Sequence, residues 1–256
     1  MMVATWNVNG IRARAESFMR WLRSHQPDIL CLQEIKAHPE QIPEILRELP
    51  SYSSHWHGTF GGYSGVSIHV REGSLGSPTF SVPFFDEERR ILQADLEHLS
   101  LLNVYVPLGQ KSYRQKLDFL DALVHYVDAL HYEGRAVNLC GDFNVVHANL
   151  DLHPDLMGED VVCTRDDERE RLDALLNSGM QDLFRKHHPS VRDAYSWWPY
   201  HSGARAKNVG WRIDYIFASR GLADTSQSCR IFKEEASSDH SPVVAVFKEL
   251  PSRESR

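Results

Sequence analysis

Eight short apolar runs punctuate this chain: VATW, ILCL, VSIHV, ILQADL, LLNVYV, AVNLC, IDYIF and VVAVF. Each has strand length, and their valines and isoleucines suit a pleated, buried surface. Helical patterns lie between only some of them. Phe18, Trp21, Leu22 and His25 share a face after Glu16, and Leu117, Leu120, Val124, Val127 and Leu130 form a stripe of helical period. TRDDERERLDALLNSG opens with acids, carries Leu172, Leu175 and Leu176, and meets a stop signal at Gly179. A plain alternating doubly wound sheet needs more helices than this. Many strands with few helices predict an α/β chain in which sheets pack on each other and helices lie outside.

Several of the strands share a second property: polar residues at or near one end. VATWN ends at Asn7 and ILCLQE at Glu34, LLNVYVP carries Tyr105 near its end, and AVNLCGDFN ends at Asp142 and Asn144. RIDYIF places Asp214 inside an apolar run, and Asp239 and His240 come just before VVAVF. An acid at the end of a buried strand is costly unless it is paired or ligated. Singly, each has a bland explanation: a turn for Asn7, a solvated acid for Glu34, packing for Tyr105, a helix cap for Asp239. Their repetition at strand ends, where layered α/β proteins place their sites, is what the bland explanations leave over.

With 256 residues, 42% of them hydrophobic, the chain is long enough for a substantial core, and no linker or low-complexity tract divides it. The expectation is a single domain over residues 1–256. No apolar run of about 18 residues exists to span a membrane. The opening MMVATWNVNG has neither the basic nor the apolar region of a secretory signal. Cys31, Cys140, Cys163 and Cys229 lack C-x-x-C spacing and read as reduced thiols in a cytoplasmic protein.

The net charge of −7 argues against a nucleic-acid partner when taken as an average. The distribution does not. From Ala194 to Ile213 there is no acid, and the window holds Arg205, Lys207, Arg212, His201, three tryptophans and two tyrosines. One basic, aromatic face and one cluster of acids can coexist on an acidic chain.

The strand-end set has too few His and Cys residues for zinc. Oxygen ligands dominate, which suits Mg²⁺ or Mn²⁺. There is no G-x-S-x-G elbow and no Walker loop. What remains is metal-assisted attack of water on a phosphoester. That reaction needs a group to hold the metal, a carboxylate to take the proton of water, and donors aimed at the phosphoryl oxygens. Glu34, Asp142 and His240 suit these roles in turn.

The motifs WNVNG, LQEIK, GYSGV, NVYVP, GDFNV, NVGWRIDY and SDHSPV follow in one order. In this the chain resembles the exonuclease III-like apurinic/apyrimidinic (AP) endonucleases from residue 3 to about 248. GDFN marks only the wider superfamily of endonucleases, exonucleases and phosphatases, whereas SWWPYHSGARAKNVGWRIDY is specific to the DNA-repair branch. The resemblance implies a four-layer α/β sandwich of two packed mixed β-sheets flanked by helices. It implies a Mg²⁺-dependent enzyme, with Mn²⁺ as substitute, acting as a monomer on double-stranded DNA with abasic or damaged sites. It implies hydrolysis 5′ to the abasic site, leaving a 3′-hydroxyl, with some 3′-to-5′ exonuclease or 3′-end-cleaning activity. Carried over by position, Glu34 looks like the main metal ligand, with Asn7 beside it and Asp239 next to the metal or its waters. Asp142 looks like the activator of water, Asn144 its orienting partner, and Tyr105 a phosphate contact. Asp214 pairs with His240. Trp197, Trp211 and Ile213 match the pocket for a flipped-out sugar, and Arg205, Lys207 and Asn208 are phosphate-binding candidates.

Three departures from the family pattern stand out. Leu108 occupies a position that commonly carries an amide, followed by a shorter loop. HPDLMGEDVV is acidic where members are often rich in Asn and Lys. Glu88 replaces a common glycine. Three other readings stay open at this point: nicking at uracil or another damaged base, phosphoester cleavage on a non-DNA substrate, and a binding module that has lost its chemistry.

Overall fold

The computed structural model describes residues 1–97, 99–158, 161–201 and 203–248. Twelve strands form two six-stranded mixed sheets. The first contains β1 (Met2–Asn7), β2 (Ile29–Gln33), β3 (Tyr52–His57), β4 (Val66–Arg71), β11 (Ser226–Ile231) and β12 (Val243–Phe247), in the order β11-β12-β1-β2-β4-β3. The second contains β5 (Thr79–Ser81), β6 (Ile91–Leu96), β7 (Leu99–Tyr105), β8 (Ala136–Asp142), β9 (Met180–Asp182) and β10 (Asp214–Ser219), in the order β5-β6-β7-β8-β10-β9. The helices are α1 (Ala15–His25), α2 (Glu44–Arg47), α3 (Tyr113–Tyr132), α4 (Asp166–Asn177), α5 (Leu183–His187) and α6 (Arg220–Asp224).

Alternation along the strands builds the layers. In β1 and β2, Val3, Ile29 and Cys31 face the other sheet, while Ala4, Trp6, Leu30 and Leu32 turn outward onto α1 and its Phe18, Trp21 and Leu22. In the second sheet, Leu101, Cys140 and Ile216 point into the seam, while Leu102, Val104, Leu139 and Phe217 cover α3 and α4. The expected stripe on α3 is buried at Leu117, Leu120, Val127 and Leu130, with Leu123 added and Val124 packed at its margin. The four layers are thus helix, sheet, sheet and helix.

All eight strands legible in the sequence are present. The four that it does not announce, β3, β5, β9 and β11, are the four sheet edges. Edge strands are covered on fewer sides, so their composition carries less apolar signal. Asp214 is also shifted from its expected place: it opens β10 rather than lying within a strand.

Each sheet contains one parallel pair, β1 with β2 and β7 with β8, joined through α1 and α3 respectively. Their carboxyl ends carry Asn7, the residue before Glu34, Tyr105 and Asp142. Register then aligns the second sheet's contribution, because Tyr105 pairs with Asp142, and Asp142 with Asp214. Gly141 permits this alignment. Its φ is 139°, and a Cβ there would lie 1.9 Å from the Val104 carbonyl oxygen. Gly141→Ala is expected to lower stability by about 3 kcal/mol, through overpacking and an unsuitable backbone angle. A reduced urea midpoint measures this, whereas an unchanged midpoint means that β7 and β8 part without cost.

Candidate active site

Asn7 comes from one sheet and Asp142 from the other, and a single amide joins them. Asn7 Nδ2 donates to Glu34 Oε1 at 3.0 Å and to Asp142 Oδ2 at 2.9 Å. Asn7 Oδ1 accepts from the backbone N–H of Asn9 at 3.0 Å. The chain turns sharply here: Asn9, Glu34, Lys36 and Asn144 all have positive φ, between 45° and 50°, without being glycine. Such backbone is sparsely populated and persists only where surrounding contacts enforce it.

Ligand atoms of Glu34, Asp142 and His240 lie within 4.8 Å of one another. Burial works to raise the pKa of Glu34, but the Lys36 ammonium, 2.7 Å from Oε2, and the Asn7 amide outweigh it and hold the carboxyl below its usual range. Asp142 is pushed the other way. Burial dominates, and the charges of Asp214 and Glu34 add to it against the pull of His240 and Asn7. Asn144 donates its backbone N–H to Asp142 Oδ1 at 2.9 Å and its side-chain amide to the Val106 carbonyl at 3.0 Å.

His240 faces Asp214 through Nδ1, at 2.9 and 3.1 Å from the two carboxylate oxygens. Its Nε2 lies 3.9 Å from Asp142 Oδ2. Burial disfavours the imidazolium, yet the charges of Asp214 and Asp142 overcome it and raise the pKa well above the ordinary value. His240 is therefore a charged donor at neutral pH. The Tyr105 hydroxyl is raised strongly by burial and by the neighbouring Glu34 and Asp142 charges, so it stays protonated. Beneath it lies Arg90, with its guanidinium 4.7 Å from the Tyr105 ring centre.

Asp239 lies outside the group formed by Glu34, Asp142 and His240. Its oxygens accept from Asn9 Nδ2 at 2.9 Å, Trp197 Nε1 at 3.1 Å and the Tyr200 hydroxyl at 3.3 Å. Through Trp197 it holds one side of an apolar cluster. Trp197 and Trp211 pair as an isolated β-bridge with ring centres 5.1 Å apart, and Trp197 stands 6.4 Å from the His240 ring. Ile213, Val146, Leu152 and Leu156 complete the cluster. The buried Trp211 Nε1 has no acceptor among the described residues. Between Trp211 and Ile213, the fully buried Arg212 anchors the segment with Nε 2.6 Å from Asp151 and a second nitrogen 2.8 Å from Asp182.

Two expected phosphate contacts also have internal partners. Arg205 donates to the carbonyls of Ser238, Lys233 and Glu235 and to the Ser241 hydroxyl, with its guanidinium over Trp198. Asn208 binds Trp198 Nε1 and the Asp193 carbonyl. Charge and residue type did not reveal these partners, because the carbonyls that they meet lie in distant loops. Lys207, by contrast, is exposed. Leu108 is half-exposed, and Glu88 binds Arg90 and Tyr63 while the positive φ of its turn falls on Arg89. In the acidic segment, Glu159 and Asp160 lie outside the described residues.

Sequence reasoning missed Asn9, Lys36, Arg90 and Tyr200. Asn9 and Lys36 sit within the motifs WNVNG and LQEIK, which is the signal that pointed to them.

A profile of the Endonuclease/Exonuclease/phosphatase family matches residues 4–240. An exodeoxyribonuclease of Bacillus subtilis is 33% identical, over 96% of this chain and 99% of its own. Among solved structures, an AP endonuclease from Archaeoglobus fulgidus superposes with a TM-score of 0.87 at 33% identity, covering 97% of this chain and all of that one. A 3′ phosphatase from Neisseria, bound to a product DNA hairpin, gives 0.88 at 29% identity over 97% of this chain and all of its own.

Replacing Asp214 by Asn removes the nearest negative charge from His240. The His240 pKa, followed by NMR in EDTA, is expected to fall by roughly one pH unit or more. An unchanged value assigns the raised pKa to other groups.

Proposed function

The chain belongs to the endonuclease/exonuclease/phosphatase family, as a DNA-repair phosphodiesterase of the exodeoxyribonuclease III and AP endonuclease type, and we propose that it cuts duplex DNA on the 5′ side of an abasic site. The observation that carries this reading is the two-tryptophan apolar cluster beside His240. An abasic nucleotide has no base to unstack, so turning it out of the helix costs little. The apolar surface of Trp197, Trp211 and Ile213 suits the bare sugar, and selection against a nucleotide that keeps its base falls to the same residues.

The donor set fits a hard divalent cation. Glu34 is ionised and already compensated by an ammonium, Lys36, and the nearby donors are oxygens, since the charged His240 offers no lone pair. Glu34 would hold Mg²⁺, with Asp142 close by. The cation supplies polarisation of the phosphate and support for the leaving oxygen.

The remaining work falls to the chain. Asp142 takes the proton of the attacking water, since its raised pKa brings it toward the operating pH of a general base. Asn144 and Asn7 fix its two oxygens, so that the acceptor does not rotate. His240, held charged by Asp214, donates to a phosphoryl oxygen and stabilises the growing charge. Tyr105 stays protonated and donates alongside it. Lys207 is exposed and serves as a contact to the DNA backbone. Asp239 keeps Trp197 in place.

The test is a labelled duplex with one abasic analogue, incubated with Mg²⁺ or with EDTA, beside an intact duplex and a nicked duplex ending in a 3′-phosphate. The expected result is one Mg²⁺-dependent nick 5′ to the analogue and an intact control. Trp211→Ala should reduce the preference for abasic over intact duplex by roughly tenfold or more, the scale of one apolar contact. Release of 3′-phosphate without any nick overturns the proposal in favour of 3′-end processing.

A further inference from the structure

The apolar face of α3 contains a lysine. Lys116 is fully buried, one residue before the start of the leucine stripe. It forms an ion pair with Glu168, the first-turn acid of α4, whose side chain is also fully buried. Glu168 in turn accepts from the backbone N–H groups of Cys163 and Arg165, each at 3.0 Å. Lys116 Nζ reaches the Leu108 carbonyl at 3.4 Å, and its shortest bond to a carbonyl, 2.6 Å, is to that of Asn144.

Stability alone does not explain this pair. Taking two ions out of water costs several kcal/mol each, and apolar residues of similar volume often serve a core as well or better. The destination of the ammonium is the informative part. Asn144 has a φ of 48°, a left-handed conformation that asparagine tolerates better than most residues and that reverses the direction of its carbonyl. Its N–H is committed to Asp142 Oδ1 and its side-chain amide to Val106. Turned this way, its carbonyl points into the protein, where no strand receives it and Lys116 does.

We infer that Lys116 is a positioning residue, which acts through the Asn144 carbonyl to hold Asn144 and, through its N–H, the Asp142 carboxylate in the geometry that cleavage needs. Glu168 pairs with the ammonium and aims it. The inference rests on the roles proposed above for Asn144 and Asp142. It gives α3, α4 and the loop after β8 one joint function, in which the distance between the two helices sets the angle of the catalytic turn.

The experiment is a mutant cycle. Lys116→Met with Glu168→Gln removes both charges together, so neither is left buried and unpaired. It is compared with Asp142→Ala, which removes the carboxylate that the Asn144 N–H holds, and with all three changes combined. Each protein is measured by urea midpoint, by DNA affinity in EDTA, and by single-turnover rate with Mg²⁺ on whichever substrate the wild type cleaves faster. The neutral pair is expected to bind DNA like the wild type and to cleave about tenfold more slowly, within the range for coupled neighbours. In the Asp142→Ala background the same changes should slow the residual cleavage no further. Lys116→Arg, which keeps the charge and moves the donor, should show a smaller loss that also vanishes in that background. Equal loss in both backgrounds, or a wild-type rate for the neutral pair, overturns the inference while the role of Asp142 stands. A wild-type rate for Asp142→Ala alone overturns the role of Asp142 and the inference with it.

Discussion

The amide of Asn7 is the point on which the site depends. It belongs to the first sheet, and its two donors reach Glu34 in that sheet and Asp142 in the second. Nothing in either sheet alone forms a site, because each contributes half of the charges. Two buried carboxylates this close repel, and either would take up a proton without compensation. Asn7 solvates both, Lys36 neutralises Glu34, and His240 stands opposite Asp142. Strand register places Tyr105 and Asp214 beside this cross-sheet cluster.

Two βαβ units explain how the halves meet. Each sheet carries one parallel pair, and in open α/β sheets polar residues gather where parallel strands end. Packing the sheets face to face with those ends at one edge brings Asn7 and Glu34 over Asp142 and Tyr105. The turns leaving the strands are then forced into left-handed backbone at Asn9, Glu34, Lys36 and Asn144. That cost, of order 1–3 kcal/mol per residue, is offset by the hydrogen bonds that the cluster supplies. The tryptophan cluster is held by separate means. Arg212, with Asp151 and Asp182, locks the segment between Trp211 and Ile213 from behind.

The legible part of the sequence was the part with an unambiguous physical signature. Central strands announced themselves by continuous burial, and edge strands such as β3, with serines and histidines at half-buried positions, did not. The strand-end acids were legible because a carboxylate at the end of an apolar run has few bland explanations. The internal partners of Arg205 and Asn208 were illegible for the opposite reason. A basic or amide residue in a loop suits phosphate and carbonyl equally, and only the fold brings the carbonyls of Lys233, Glu235 and Ser238 to Arg205. Lys116 was hidden in a helical stripe, where a lysine reads as the solvated margin. Its partner Glu168 reads as an ordinary helix-start acid until α3 and α4 are packed together.

The central claim is that this seam delivers water to phosphorus rather than removing a proton from the sugar. Single-turnover cleavage of an abasic duplex in water labelled with heavy oxygen tests it directly, with the products resolved by mass spectrometry. The account predicts one labelled oxygen on the 5′-phosphate of the downstream fragment and a 3′-hydroxyl on the upstream one. An unlabelled phosphate with an unsaturated sugar remnant at the 3′ end would contradict it, because that product arises by elimination and needs neither Asp142 nor a water.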